Sequence, residues 1–344
     1  MSAPPAPADH PTRATLARLM PSGVPVLRAA VRRTLTRMFG PPPIEATAEP
    51  GDPGLTGAGS PSWRVIGEPA AIAGGLRGLL VQVSHPLAMA GVADHSAFRD
   101  DPLGRLQRTS AYVTVTTFGS TREALMISRR VRAVHPRVVG TAPDGRAYRA
   151  DDPRLLTWVA VALTSSFLAA DRLWAPHPVL GADADRFVLE QSRIAALLDP
   201  RVDLDELLAD DTAQQELRSH RIPLPMLDDG TLPRTAAELD AVLTSYDREL
   251  GINHQGRDAL HFLAAPPIPR SARGGYRILL AGAIGSLTPV QQRALELARP
   301  AVRNRRAVAR TGAALTVMRL STGTSPTRTA AEARVTAPPA SSAA

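Results

Sequence analysis

Residues 120–140 read STREALMISRRVRAVHPRVVG. Ser120 is a favourable helix N-cap, and Glu123, three residues on, completes a capping box. Ala124, Ile127, Val131, Val134 and Val138 then recur at three- and four-residue spacing, which predicts an amphipathic helix. His135 stands four residues after Val131 and eight after Ile127, so it falls on the apolar stripe. Arg129, Arg130, Arg132 and Arg137 take other angles, mostly outward. An imidazole facing a core is either a hydrogen-bonded core histidine or a ligand to a metal or haem iron.

The helix before it has the same clarity. Asp101 caps, Pro102 takes the first helical position, and LGRLQRTSAYVTVTTF runs on to Gly119. Leu103, Leu106, Ser110 and Val113 form a mostly apolar side. Arg105, Arg108, Thr109 and Tyr112 form a polar stripe beside it. That stripe is either a solvated face or a pair of guanidiniums placed to hold carboxylates in bidentate fashion. Upstream, 68–93 reads as helix, disturbed at Gly74-Gly75 and at Pro86. His85 and His95 flank its second half, each a local hydrogen-bonding residue or a pocket residue. Downstream, Asp144-Gly145 signals a turn. Asp152 and Pro153 then open a helix that is apolar on nearly every side from Leu155 to Ala169. At that length it falls short of the ~20 residues a bilayer needs and predicts a buried central helix.

Three blocks carry a family resemblance: GGLRGLLVQVSHPLAMAGVADHSAFRDDPLGRLQRT from Gly74, RRVRAVHPRVVGT from Arg129, and DGRAYRADDPRLLTWVAVALTSSFLAADRL from Asp144. Together they resemble the MpaB / rubber oxygenase catalytic domain family, closely over about 64–172 and more weakly to about 300. The resemblance implies an all-α fold, a single multi-helix domain enclosing a pocket for haem b. It implies His135 as the proximal iron ligand and Arg105 and Thr109 at the haem. It further implies an oxygenase, an oxidoreductase using molecular oxygen on a lipophilic, isoprenoid or unsaturated small molecule.

The chain also departs from that pattern. Latex-clearing relatives have an iron-coordinating lysine where this chain has Arg108, and a guanidinium offers no lone pair. They use a glutamate before the arginine motif. Between His85 and Arg105 the carboxylates here are Asp94, Asp100 and Asp101, which leaves Asp94 or His95 as distal acid–base residues. Ala160 stands where many members have histidine. A haem pocket tolerates these changes more easily than rubber cleavage does. The competing reading is a haem-binding or helical interaction protein without turnover.

Composition narrows the rest. The 344 residues contain no cysteine, and all 40 basic residues are arginine. Thiolate ligation, Schiff-base chemistry and a P-loop are therefore excluded. The net charge of +8 is spread along the chain without interleaved aromatics, which argues against nucleic acid as a partner. An anionic membrane surface, touched peripherally, is the better second use for the excess arginine. The expected setting is cytoplasmic. Residues 1–63 read as a disordered start, a basic helical extension over Thr12–Met38 and a Pro/Gly-rich linker over Gly40–Ser62. Residues 64–315 read as the domain. Its later helices are placed at Asp183–Asp199, Leu204–His220, Thr235–Leu250, Gln255–Ala265 and Arg273–Leu287, with a last one from Thr288 to about Arg310. Residues 321–344 read as a disordered tail.

Overall fold

The computed structural model describes residues 43–45, 48–96 and 101–338, with five isolated positions before 42. The expected disordered start, most of the basic helix over 12–38, and Asp100 lie outside the described residues. Among those described, the protein is all-α apart from one two-stranded hairpin. Its elements are α1 (Pro61–Gly67), α2 (Ala70–Val83), α3 (Pro86–His95), α4 (Pro102–Phe118), α5 (Thr121–Arg132), β1 (Val139–Thr141), β2 (Ala147–Arg149), α6 (Pro153–Trp174), α7 (Ala182–Ala196), α8 (Leu204–Ala209), α9 (Asp211–Arg218), α10 (Pro225–Asp228), α11 (Ala236–Ser245), α12 (His254–Ala264), α13 (Arg270–Gly285), α14 (Pro289–Ala294), α15 (Ala301–Thr322) and α16 (Pro326–Thr336).

The caps read from the sequence are in place. Asp101 Oδ1 accepts from Gly104 N at 2.9 Å. Asp152 Oδ1 accepts from Arg154 N at 2.8 Å. Ser120 and Glu123 bond reciprocally, at 3.1 and 2.7 Å. The hairpin was not foreseen. Its strands are three residues each, paired Val139 to Arg149 and Thr141 to Ala147. Gly145, at φ +85, takes the left-handed turn position that a side chain disfavours.

The centre of the molecule is α6, with α2 packed along it. At 22 residues it is longer than the apolar run suggested, and its length and composition would suffice to cross a membrane. Two thirds of its apolar window, 67%, is nevertheless buried inside the protein, as in a core helix. Trp158, Ala162 and Ser166 are fully enclosed. The glycine pair in α2 does not interrupt the helix. A Cβ at Gly74 would stand 3.0 Å from Ala170 Cβ and from Phe167 Cδ1, so the bare backbone lets α2 lie against α6. The same device joins α13 to α15, where a Cβ on Gly282 would meet Thr311 Cβ at 2.6 Å.

Several boundaries move. Leu204–His220 is two helices, broken at Asp210, which caps the second. The helix expected from Thr288 to Arg310 ends at Ala294, and α15 restarts after Pro300 and runs to Thr322. The tail read as structureless carries α16. Its Arg334 is fully buried and donates from Nε to Asp52 O at 3.1 Å. The stretch read as a linker is likewise fixed to the body. Asp52 Oδ1 accepts from Thr121 N and Oγ1 at 2.9 and 3.0 Å, and Arg218 Nη1 reaches Asp52 Oδ2 at 3.1 Å.

Candidate functional site

One large cavity, about 500 Å³, opens beside α6. Leu76, Leu79 and Val83 of α2, Leu163 and Phe167 of α6, and Phe262 and Leu263 of α12 make its hydrocarbon walls. Such a volume lies within the ~300–1,000 Å³ usual for small-molecule sites. The charged groups on its wall come from α4, which also supplies Thr109, Tyr112 and Thr116, and His135 follows the end of α5.

His135 reaches the cavity by a different route from the one expected. Helix α5 ends at Arg132, because Pro136 has no N–H to continue it and disfavours helical backbone at the residue before. His135, Pro136 and Arg137 form a tight 3₁₀ turn instead. Val134, expected on the buried stripe, is 52% exposed as a result. His135 still lines the cavity. Its Nδ1 is buried and has no hydrogen-bond partner among the described residues. Burial holds its pKa below the ordinary value, with Asp151 opposing weakly, so the ring is neutral at pH 7.

Arg105, Arg108, Thr109 and Tyr112 of α4 all line the same cavity. The stripe is therefore a cavity wall and not merely a solvated face. Arg105 is the more enclosed of the two arginines. Burial, with Arg108 adding repulsion, lowers its pKa to about 10, still protonated at neutral pH. The Arg108 side chain is 63% exposed and sits at the rim, 3.3 Å from Asp101 Oδ2. Thr109 Oγ1 donates to Arg105 O at 3.1 Å, so its proton is committed to the helix backbone. Its oxygen lone pairs remain.

The two suggested acid–base residues part company. His95 lines the cavity, held by a 3.0 Å hydrogen bond between Nε2 and Val139 O on the hairpin. Asp94 does not line it. Its carboxylate accepts from Tyr148 Oη at 2.7 Å and from Gln255 Nε2 at 2.9 Å, tying the hairpin and α12 to α3. His85 is also structural: Nδ1 accepts from Ala88 N as the cap of α3, and Nε2 lies 3.4 Å from Glu249 Oε2.

Tyr112 was missed as a site residue. Its Oη is buried and makes no well-formed hydrogen bond among the described residues, although Ser128 is its polar neighbour. Burial raises its pKa, so the phenol keeps its proton. The sequence signal was present, since Tyr112 is one turn beyond Arg108 and Thr109. What could not be read was that its ring would line a cavity while its hydroxyl is buried beside Ser128.

A family model described as "ER-bound oxygenase mpaB/B'/Rubber oxygenase, catalytic domain" matches residues 63–317. The chain belongs to the MpaB/rubber oxygenase catalytic-domain family. Comparison with curated proteins and with solved structures gave no match. The family match begins at Trp63 in α1 and ends inside α15, so it contains every wall of the large cavity. Membership places the chain among oxygenases, which use oxygen and a small-molecule substrate. Within this MpaB/rubber oxygenase domain Ala160 lines the cavity and contributes only a methyl group. The histidines on its wall, among the described residues, are His95 and His135.

Proposed function

We propose that the protein is a haem b-dependent oxygenase acting on a lipophilic, isoprenoid or unsaturated substrate. The observation that carries this reading is the large apolar cavity with His135 on its wall, neutral and with a buried, unbonded ring nitrogen. The donor set fits the group. A neutral imidazole has the lone pair an iron ligand needs. Arg105 offers a partly desolvated guanidinium for a propionate, and Arg108 a second one at the rim. Haem bound there would supply redox-active iron for oxygen chemistry on an olefinic chain.

The remaining work falls to the chain itself. The leucine, valine and phenylalanine walls exclude water and hold hydrocarbon. Arg105 provides fixed positive charge where negative charge develops, in a poorly solvated place where it acts strongly. The Tyr112 ring adds to the wall, with its Oη buried beside Ser128, and the His95 ring stands at another part of the wall. The His95 ring can pass a proton to a reacting oxygen. Asp94 is reassigned to holding the hairpin.

The test is a pyridine haemochrome assay on protein expressed with haem supplementation, beside His135→Ala. Wild type should show a b-type spectrum and the variant should lose its Soret band. Reduced protein should bind carbon monoxide. With oxygen it should convert short polyisoprenoids or unsaturated fatty acids into carbonyl products seen by mass spectrometry. Absence of haem, or an unchanged Soret band in the variant, would overturn the assignment. Haem without product formation would leave the non-catalytic haem-binding alternative, which the replacement of lysine by Arg108 favours.

A further inference from the structure

The positive charge is spread along the sequence, but the fold gathers part of it on one face. From Arg270 to Thr322 the chain carries ten arginines and a single acid, Glu296. Helices α13 and α15 themselves contain no acid. They run antiparallel, since Gly282 faces Thr311 while Gly285 faces Asn304. On α15, Arg303, Arg306, Arg310, Ala313, Val317 and Leu320 follow one another at three- and four-residue spacing, so they share one side of the helix. Such a stripe is the side that a helix ordinarily buries. Here all six residues are exposed. Val317 and Leu320, both large and apolar, are 58% and 53% exposed. Arg270, Arg273 and Arg277 repeat the spacing on α13 and are exposed as well.

The protein does not neutralise this face. The ion pairs nearest in sequence, Arg257 with Glu296 and Arg319 with Glu68, use other arginines. The termini bring no counter-charge either: residues 1–42 hold six arginines against one acid, Asp9, and residues 339–344 have no charged side chain. A fitting partner is therefore anionic and also accepts hydrocarbon. Phospholipid headgroups take guanidiniums, and the zone beneath them takes apolar side chains. The acidic residues of a second copy would satisfy the arginines but give Val317 and Leu320 nothing to enter. Helix α13 also walls the large cavity through Tyr276, so a bilayer on this face would lie one helix away from it.

We propose that the exposed α13–α15 face is a peripheral docking surface for an anionic phospholipid bilayer. The arginines pair with headgroup phosphates, and Val317 and Leu320 enter the interface. Docking needs no haem, so it stands or falls separately from the oxygenase reading.

The experiment is co-sedimentation of the full chain, without added haem, with vesicles of phosphatidylcholine alone or mixed with phosphatidylglycerol. The chain should bind the mixed vesicles, leave the neutral ones unbound and come off at high salt. Reversing three charges together, Arg303→Glu, Arg306→Glu and Arg310→Glu, should weaken binding by on the order of a hundredfold. Arg130, Arg221 and Arg248 are exposed elsewhere; the same reversals there give an equal net charge and should cost far less. Val317→Asp should weaken binding roughly tenfold, by removing an inserted apolar side chain. Circular dichroism checks that each variant is native. If the α15 triple variant does not fold, Val317→Asp and the comparison of lipids decide. No binding to the mixed vesicles, equal binding to neutral ones, equal loss from the two triple variants, or unchanged binding of Val317→Asp each overturns the proposal. Binding that survives the α15 reversals would place the contact on other arginines, such as those of the N-terminal segment. Self-association that the α15 reversals abolish, without vesicle binding, would assign the face to a second copy instead.

Discussion

At the residue scale the candidate site depends on polar groups set into the wall of an apolar cavity. Arg105 is partly desolvated and faces the same space as His135. Arg105→Ala should weaken haem retention by ~1.5–3 kcal/mol, the range for a hydrogen bond to a charged group. Haem transfer to apomyoglobin measures it, with the exposed Arg306 as control; equal loss from Arg306→Ala would make the effect general destabilisation. Tyr112→Phe removes only an oxygen atom that is buried beside Ser128 and has no face on the cavity. It should leave haem content and turnover unchanged; turnover slowed by ~10²-fold at matched haem loading, the lower range for a positioned proton donor, would place Tyr112 in the chemistry. Spacing set Arg105, Arg108 and Thr109 on one helix stripe, and the family resemblance singled them out together with His135; spacing did not show that His135 would leave the helix in the turn before Pro136. The bonding of Asp94 was not legible, because a carboxylate's partners, here Tyr148 and Gln255, come from 54 and 161 residues away. Spacing carries no record of them.

At the element scale, close approach of helices explains which glycines matter. Gly282 faces Thr311 across α13 and α15, with no room for a methyl group. Gly282→Ala should lower stability by ~1–3 kcal/mol, as overpacking does. Gly275 lies on the exposed side of the same helix with nothing near its absent Cβ. Gly275→Ala should raise stability by ~0.5–1 kcal/mol, by removing backbone freedom from the unfolded chain. Urea unfolding of both variants checks the pair, and the same sign in both would refute this account of α13. Sequence periodicity placed these helices well. It failed where proline and side-chain caps compete, as at His135-Pro136 and at Asp210. There one residue decides whether a helix continues, and the local pattern supports both outcomes.

At the scale of the whole molecule, histidine burial sets the response to acid. Burial is the first cause that lowers the pKa values of His85, His135 and His220. A histidine with a lowered folded pKa takes up its proton more readily when unfolded. Stability is then complete above the unfolded value, ~6.5, and falls as pH drops below it. Thermal melts of apoprotein between pH 7.5 and 5 should show this fall, and His85→Asn should flatten it; a midpoint constant over that range would contradict the reading. The C-terminal helix also belongs to the whole. Arg334→Ala empties a fully buried position beside Asp52 and Glu123. It should cost ~3 kcal/mol, since removing one partner leaves the others uncompensated; a chemical denaturation midpoint equal to wild type would show that α16 is dispensable. The sequence by itself determined the helical class, most caps, the family and the residues around His135, because each depends on contacts within a few positions or on residue types. Only the tertiary structure decided which stripe faces a cavity, which carboxylate is already bonded, and that the presumed linker and tail pack onto the body. Those outcomes depend on partners tens to hundreds of residues away, as when Arg334 meets Asp52, and no local pattern encodes such a meeting.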